Sequence, residues 1–164
     1  MDIKLSRENL FTTESIVDGS NIRTVVWTQG CKHNCEGCHN PSTHSFKSGV
    51  LADADEVLEV LVRQGKSVTF SGGDPMEQPE ACGYIAKKLR EKGFNVWSYT
   101  GYTFEQILND EVKYEFLKHL DVLVDGRFDS EQIDLTLAFR GSSNQRIIDV
   151  QKSLKDNKIV NLEM

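Results

Sequence analysis

Apolar positions recur along this chain with two different periods, and the alternation between them outlines a fold. Ala54, Val57, Leu58, Leu61 and Val62 fall three and four residues apart, the spacing of one helix face. Asp53 and Glu56 stand before them as a capping box, and Gly65 follows as a stop. A second helical segment runs from about Pro79 to Lys92, with Cys82, Ile85, Ala86 and Leu89 on its apolar stripe and Gly93 at its end. Around these lie short runs rich in β-branched and aromatic residues: Asn21 to Thr28, Ser67 to Ser71, Phe94 to Thr100 and Asp121 to Val124. Thr103 to His119 adds one or two helices before the last of them.

The order is therefore βαβαβαβ. Helices of this length between strands imply right-handed crossovers and an α/β fold with a mainly parallel, open sheet. Ligand sites in such folds lie at the carboxyl ends of the strands. Asp18-Gly19, after Ser15-Ile-Val17, gives a turn signal, so a hairpin leads into the first of the four runs. Trp27 and Phe70, inside strands, are expected in the core. Beyond Arg127 the pattern weakens, and Arg146 to Val150 and Lys158 to Leu162 are expected as short strands. No repeat, low-complexity tract or linker interrupts the chain, so residues 1–164 are expected to form one domain.

Charge narrows the partners. Lys and Arg number 19 against 25 Asp and Glu, a net charge of −6, which argues against a surface built to neutralise phosphates and so against nucleic acid. Met1 to Leu10 lacks the apolar stretch of a secretory signal, and no apolar run approaches the ~20 residues that span a bilayer. The expected location is the cytoplasm, away from membranes. In a reducing compartment four cysteines, three of them within eight positions, suit a metal or redox site better than a disulfide framework.

Those three are Cys31, Cys35 and Cys38, on the loop that follows the first run. Thiolates bind soft metals, and a loop with spacings of four and three can fold several sulfurs around one centre, so zinc and iron-sulfur are both candidates. Structural zinc needs a second ligand pair. His33, His39, His44 and Cys82 are the spare donors, and none has a finger spacing. Cys82 belongs instead to its helix's apolar stripe, where a free cysteine packs as a small hydrophobe. A [4Fe-4S] cube held by three cysteines leaves one iron open to an exogenous ligand. At the next strand end Gly72 and Gly73 let the backbone approach a ligand closely, and Asp74 offers a carboxylate to an ammonium group, although an ordinary turn accounts for the same residues. If the two strands are parallel neighbours, both loops lie on one face.

The run Cys-Lys-His-Asn-Cys-Glu-Gly-Cys-His-Asn-Pro41 resembles the Cys-x3-Cys-x2-Cys motif of the radical S-adenosylmethionine superfamily, and Ser-Gly-Gly-Asp-Pro-Met76 resembles its Gly-Gly-Glu element. Tyr-Thr-Gly-Tyr-Thr103, Val-Asp-Gly-Arg-Phe128 and Arg-Gly-Ser-Ser-Asn-Gln-Arg146 resemble the glycyl-radical activating branch, and within it the activators of anaerobic ribonucleoside-triphosphate reductase. The likeness extends from about Ser15 to Val150.

The resemblance implies a partial (βα) barrel and a [4Fe-4S] cluster held by Cys31, Cys35 and Cys38. Its open iron would be chelated by the amino and carboxylate groups of S-adenosylmethionine. Gly72, Gly73 and Asp74 would hold the methionyl amino group, Gly37, Cys38 and His39 would flank the cluster on the cofactor side, and Asp125 would contact the cofactor from a later strand end. Two departures stand out. Gly37 replaces an aromatic residue found in many members, which removes an adenine contact, and Asp74 is a methylene shorter than Glu.

The implied reaction is reductive cleavage of the cofactor to a 5′-deoxyadenosyl radical, which takes a hydrogen from a glycine Cα of the reductase. No catalytic side chain is implied beyond cluster and cofactor. The implied partners are that reductase and a low-potential electron donor such as flavodoxin. Competing readings are a small-molecule enzyme of the same superfamily, such as a deazapurine-forming synthase, and a non-catalytic zinc or electron-transfer module. Thr100, Gly101, Arg140, Asn144, Gln145 and Arg146 are polar or strand-end positions where cofactor or partner contact competes with an ordinary turn or solvated loop.

Overall fold

The computed structural model describes residues 1–38 and 41–162. In chain order its strands and α-helices are β1 (Asp2–Leu5), β2 (Phe11–Ser15), β3 (Arg23–Thr28), β4 (Val50–Asp53), α1 (Ala54–Gln64), β5 (Ser67–Gly72), α2 (Pro79–Glu91), β6 (Val96–Tyr99), α3 (Phe104–Leu108), α4 (Glu111–Leu117), β7 (Val122–Asp125), β8 (Arg146–Asp149) and α5 (Val150–Asp156). The helices begin and end where local chemistry dictates. Asp53 accepts a hydrogen bond from the Glu56 N–H at the start of α1, and Gly65, in the left-handed region at φ 68°, closes its other end. Thr103 and Gln106 form a reciprocal capping box at α3.

Eight strands form one sheet in the order β4-β1-β3-β5-β6-β7-β8, with β2 also paired to β3. The middle of it, β3-β5-β6-β7, is parallel, as the alternation of strands and helices predicts. Antiparallel strands continue the sheet on both sides: β1 and β4 beyond β3, and β8 beyond β7. The hairpin expected before β3 is present, and β2 pairs with β3 through a register irregularity between Thr12 and Ser15. Arg146 to Val150 supplies β8, whereas Lys158 to Leu162 contributes one isolated bridge, Asn161 to Ile148. The chain between them is helix α5, started by the Asp149 side chain on the Lys152 N–H.

Successive residues of each central strand face opposite sides. On the helical side Val26, Phe70, Val96 and Leu123 pack with Leu61, Ile85, Leu89 and Phe116 in one core. On the other side Trp97, Val122, Val124 and Ile147 form a smaller cluster joined by Tyr99 and Phe139. Arg23 belongs to this second side and is 0 % exposed. Its Nε donates to Thr69 Oγ1 (2.7 Å), its Nη groups donate to the carbonyls of Ser20, Val68 and Asn95, and the guanidinium lies 5.1 Å from the Trp97 ring centroid. Burial lowers Arg23 to about 10, so it stays a cation at neutral pH, stabilised by the carbonyls around it.

Phe70 is buried as expected, but Trp27 is not in the core. It alternates with Val26, faces the open side of the sheet and lines a cavity there, with its Nε1 donating to Thr12 Oγ1 at 2.8 Å. That cavity lies where the carboxyl ends of the parallel strands meet.

Candidate metal and cofactor site

Residues Thr28 of β3 and Gly72 of β5 are partners in the parallel register, so the loops that follow these strands leave the sheet side by side. Backbone hydrogen bonds then sew them together: Gly73 N–H to Thr28 O (2.9 Å), Asp74 N–H to Gly30 O (2.9 Å) and Gly30 N–H to Thr43 O (2.7 Å). This approach leaves no room for side chains at the two glycines. A Cβ on Gly73 would meet Gly30 O at 2.5 Å, and one on Gly72, at φ 111°, would meet Thr28 O at 2.3 Å. The glycine pair is thus required by the packing of chain on chain at these strand ends.

The cavity above these loops has a volume of about 580 Å³, within the usual range of small-molecule sites. Cys31, Cys35 and Cys38 line it, together with Gly72, Gly73 and Asp74. The two constellations expected from the sequence therefore do share one face. Among the described residues no two cysteines are joined in a disulfide, and no group of three His, Cys, Asp or Glu side chains closes on a single metal ion. The three loop thiols fit an iron-sulfur cluster by their chemistry, being soft donors on one wall of an accessible cavity. Burial pushes the Cys31 thiol up to about 11, while a backbone hydrogen bond at His33 pulls it the other way. Metal binding must displace that proton. His44 Nε2 lies 3.2 Å from Cys38 Sγ, so a second imidazole meets the thiol cluster. Gly37 lies in the same loop, beside Phe128 and Ser130: a Cβ built on it would stand 3.4 Å from the Phe128 ring. His39 lies outside the described residues.

Asp74 is 1 % exposed, and its carboxylate is surrounded by donors from the protein. Oδ1 accepts from the Met76 N–H (2.9 Å) and from Thr100 Oγ1 (2.9 Å), and Oδ2 accepts from the Gly101 N–H (2.9 Å) and pairs with His33 Nε2 (2.6 Å). Thr100 and Gly101 enter the site as partners of this carboxylate. The sequence gives His33 only as a spare metal donor, and no local signal ties it to a residue 41 positions away.

Asp125 is also 1 % exposed, and its carboxylate is engaged by α3 and β8. It accepts from the Phe104 N–H (2.8 Å), which starts α3, and from Arg146 Nε (3.0 Å) and Nη2 (2.5 Å). Its hydrogen bond to Asp125 raises Arg146 above the ordinary guanidinium range, and Glu105 adds a second contact at 2.6 Å. The cavity wall here is Gly126. Arg140 lines the cavity as well, and its buried Nε has no hydrogen-bond partner among the described residues. Gln145, another lining residue, caps the Gly141 and Ser142 N–H groups with its side-chain oxygen.

Cys82 is 0 % exposed within α2 and packs in the main core, as its place on the apolar stripe predicts. Cys82→Ala should therefore leave the iron content of the protein unchanged and lower its stability by about 1 kcal/mol, measured by metal analysis and denaturant unfolding.

Residues 17–148 match the family described as 4Fe-4S single cluster domain. The anaerobic ribonucleoside-triphosphate reductase-activating protein of Haemophilus influenzae is 34% identical over 146 residues, which covers 80% of this chain and 90% of the relative. The protein of the same description from Vibrio cholerae is 36% identical over 146 residues, with the same coverage. The one from Enterobacteria phage T4 is 34% identical over 141 residues, covering 80% of this chain and 86% of the relative. Among solved structures, QueE from Escherichia coli superposes with a TM-score of 0.50 at 19% identity over 63% of this chain and 54% of its own, a likeness of fold.

Proposed function

The chain belongs to the family of anaerobic ribonucleoside-triphosphate reductase-activating proteins and carries its 4Fe-4S single cluster domain, and from this we propose that it places a glycyl radical on such a reductase. One observation carries the assignment of the site: Cys31, Cys35 and Cys38 share a cavity with Gly72 and Gly73 at the carboxyl ends of parallel strands. Cys31, Cys35 and Cys38 would hold a [4Fe-4S] cluster, three protein ligands leaving one iron for S-adenosylmethionine, and Gly72, Gly73, Gly37 and Cys38 would bind the methionyl end of that cofactor. When bound, cluster and cofactor together supply a 5′-deoxyadenosyl radical that takes a hydrogen from a glycine Cα of the reductase.

The residues of the chain do the positioning. The sewn strand ends keep the thiols against the Gly72–Gly73 backbone, Asp125 fixes Arg146 and the start of α3 behind the Gly126 wall, and Trp27 and Phe128 supply apolar lining. Residues 1–164 act as one domain, a reading supported by the single sheet that takes in every strand. The electron comes from a low-potential donor such as flavodoxin, and the setting is the cytoplasm. Among the described residues no helix is long and apolar enough to cross a membrane, which fits that setting.

Anaerobically reconstituted protein mixed with reductase, S-adenosylmethionine and reductant should give a glycyl-radical doublet by electron spin resonance, lost when the partner's glycine is changed to alanine. Metal analysis should find about four irons with matching sulfide per chain. Cofactor cleavage without a radical on the partner would defeat the activase reading, and one zinc per chain without visible absorbance would defeat the cluster.

A further inference from the structure

We infer that His33 and Asp74 form a clamp that holds the cysteine loop against the cofactor wall, so that Asp74 acts as a positioning residue through His33. This rests on the cluster and cofactor reading above and concerns how the two are held in register.

A carboxylate offers about four lone-pair sites. Asp74 meets four donors from the protein: the Met76 and Gly101 N–H groups, the Thr100 hydroxyl and His33 Nε2. An ammonium group could reach this buried carboxylate only by displacing one of them, which would leave a buried donor unpaired. The ligand-facing groups at this strand end are therefore the backbone of Gly72 and Gly73, with Asp74 behind them.

His33 sits between Cys31 and Cys35, so whatever fixes it fixes the loop. Its side chain is 9 % exposed, its ring meets Tyr102 edge-on with centroids 4.5 Å apart, and it covers Gly101 so closely that a Cβ there would stand 2.6 Å from ring Cδ2. Arg127 Nη2 donates to the His33 carbonyl oxygen from beyond the end of β7. One residue of the cysteine loop is thus tied to the ends of β5, β6 and β7. Neutral imidazole with hydrogen on Nε2 suffices as the donor to Asp74, so the clamp needs no change of charge. Such supporting contacts set the geometry of metal ligands and of bound reactants.

The test uses reconstituted full-length protein with S-adenosylmethionine as the probe, and reads the cofactor-induced change in the spin-resonance spectrum of the reduced cluster. His33→Phe keeps a ring and removes the donor. It should retain about four irons per chain and weaken cofactor binding by roughly 10- to 100-fold. His33→Gln, whose amide nitrogen can take the place of Nε2, should bind within about threefold of the unaltered protein. Asp74→Asn puts an amide nitrogen where one oxygen receives His33 Nε2 and the Gly101 N–H, so it should weaken cofactor binding at least as much as His33→Phe, and the double variant should be no worse than Asp74→Asn alone, since the His33 contact is already gone in it. Unaltered cofactor binding in His33→Phe alongside its loss in Asp74→Asn would overturn the clamp and make Asp74 a direct partner of the cofactor. Loss of iron in His33→Phe would also overturn it, because the residue would then support the cluster alone. Absence of any cofactor-dependent change in the unaltered protein would defeat the underlying cluster and cofactor reading, and the clamp with it.

Discussion

Replacing Cys35 by alanine should give a folded protein that holds no intact cluster and cleaves no S-adenosylmethionine. The side chain is only partly buried and belongs to neither apolar cluster, and the backbone carbonyl that receives the Cys38 N–H is unchanged by the substitution. Stability should therefore stay within about 0.5 kcal/mol of the starting protein. The chemistry should not survive. Loss of an outer-shell partner alone costs about 10- to 100-fold in metal affinity or activity, so loss of one of three ligands should take cleavage down by more than about 100-fold. Iron per chain and deoxyadenosine release measure the two effects separately. Full activity in this variant would remove Cys35 from the site.

The other large effect should come from Gly72→Ala, and it is an effect on folding. The residue has φ 111°, and an added Cβ would stand 2.3 Å from Thr28 O and 2.5 Å from Thr28 N. These are backbone atoms of the neighbouring strand in the register Thr28 to Gly72, so no side-chain rotation relieves the clash. Backbone strain of about 1–3 kcal/mol and overpacking of about 1–3 kcal/mol add, for a loss of roughly 3 kcal/mol or more. For a chain of this size that lowers the melting temperature by about 6–12 °C. Gly65→Ala is the control, with φ 68° but nothing within 4 Å of the new atom, and should lose about 1 kcal/mol. Thermal unfolding followed by circular dichroism compares the pair. Equal melting temperatures would show that the close approach of the strand ends does not constrain this position.

The parallel centre of the sheet was legible because its helices carry long periodic stripes with clear stops at Gly65 and Gly93. The placement of Cys31 to Cys38 and Gly72 to Asp74 on one face followed from topology alone. The antiparallel flanks were not legible. β1 and β4 are four residues each, too short for a period, and their partnership joins Asp2 to Asp53 across the whole hairpin and cysteine loop. Helix α5 is obscured in the sequence because the β-branched run of β8 passes straight into its first turn. Residue type alone places Trp27 in the core, whereas strand alternation sends it to the cavity side. In the site, Asp74 itself was visible, but its partners His33, Thr100 and Gly101 lie 41, 26 and 27 positions away, beyond any local pattern.

Those separations also set an order of events during synthesis. A ribosome delivers the chain amino end first, so the cysteine loop emerges well before Asp74, and Asp74 before Thr100 and Gly101. Before β5 emerges, β3 has only β1 and β2 beside it, and the three thiols sit on a loop whose far wall has not been made. The frame around the cysteine loop is complete only once Thr100, Gly101 and Arg127 have joined the chain.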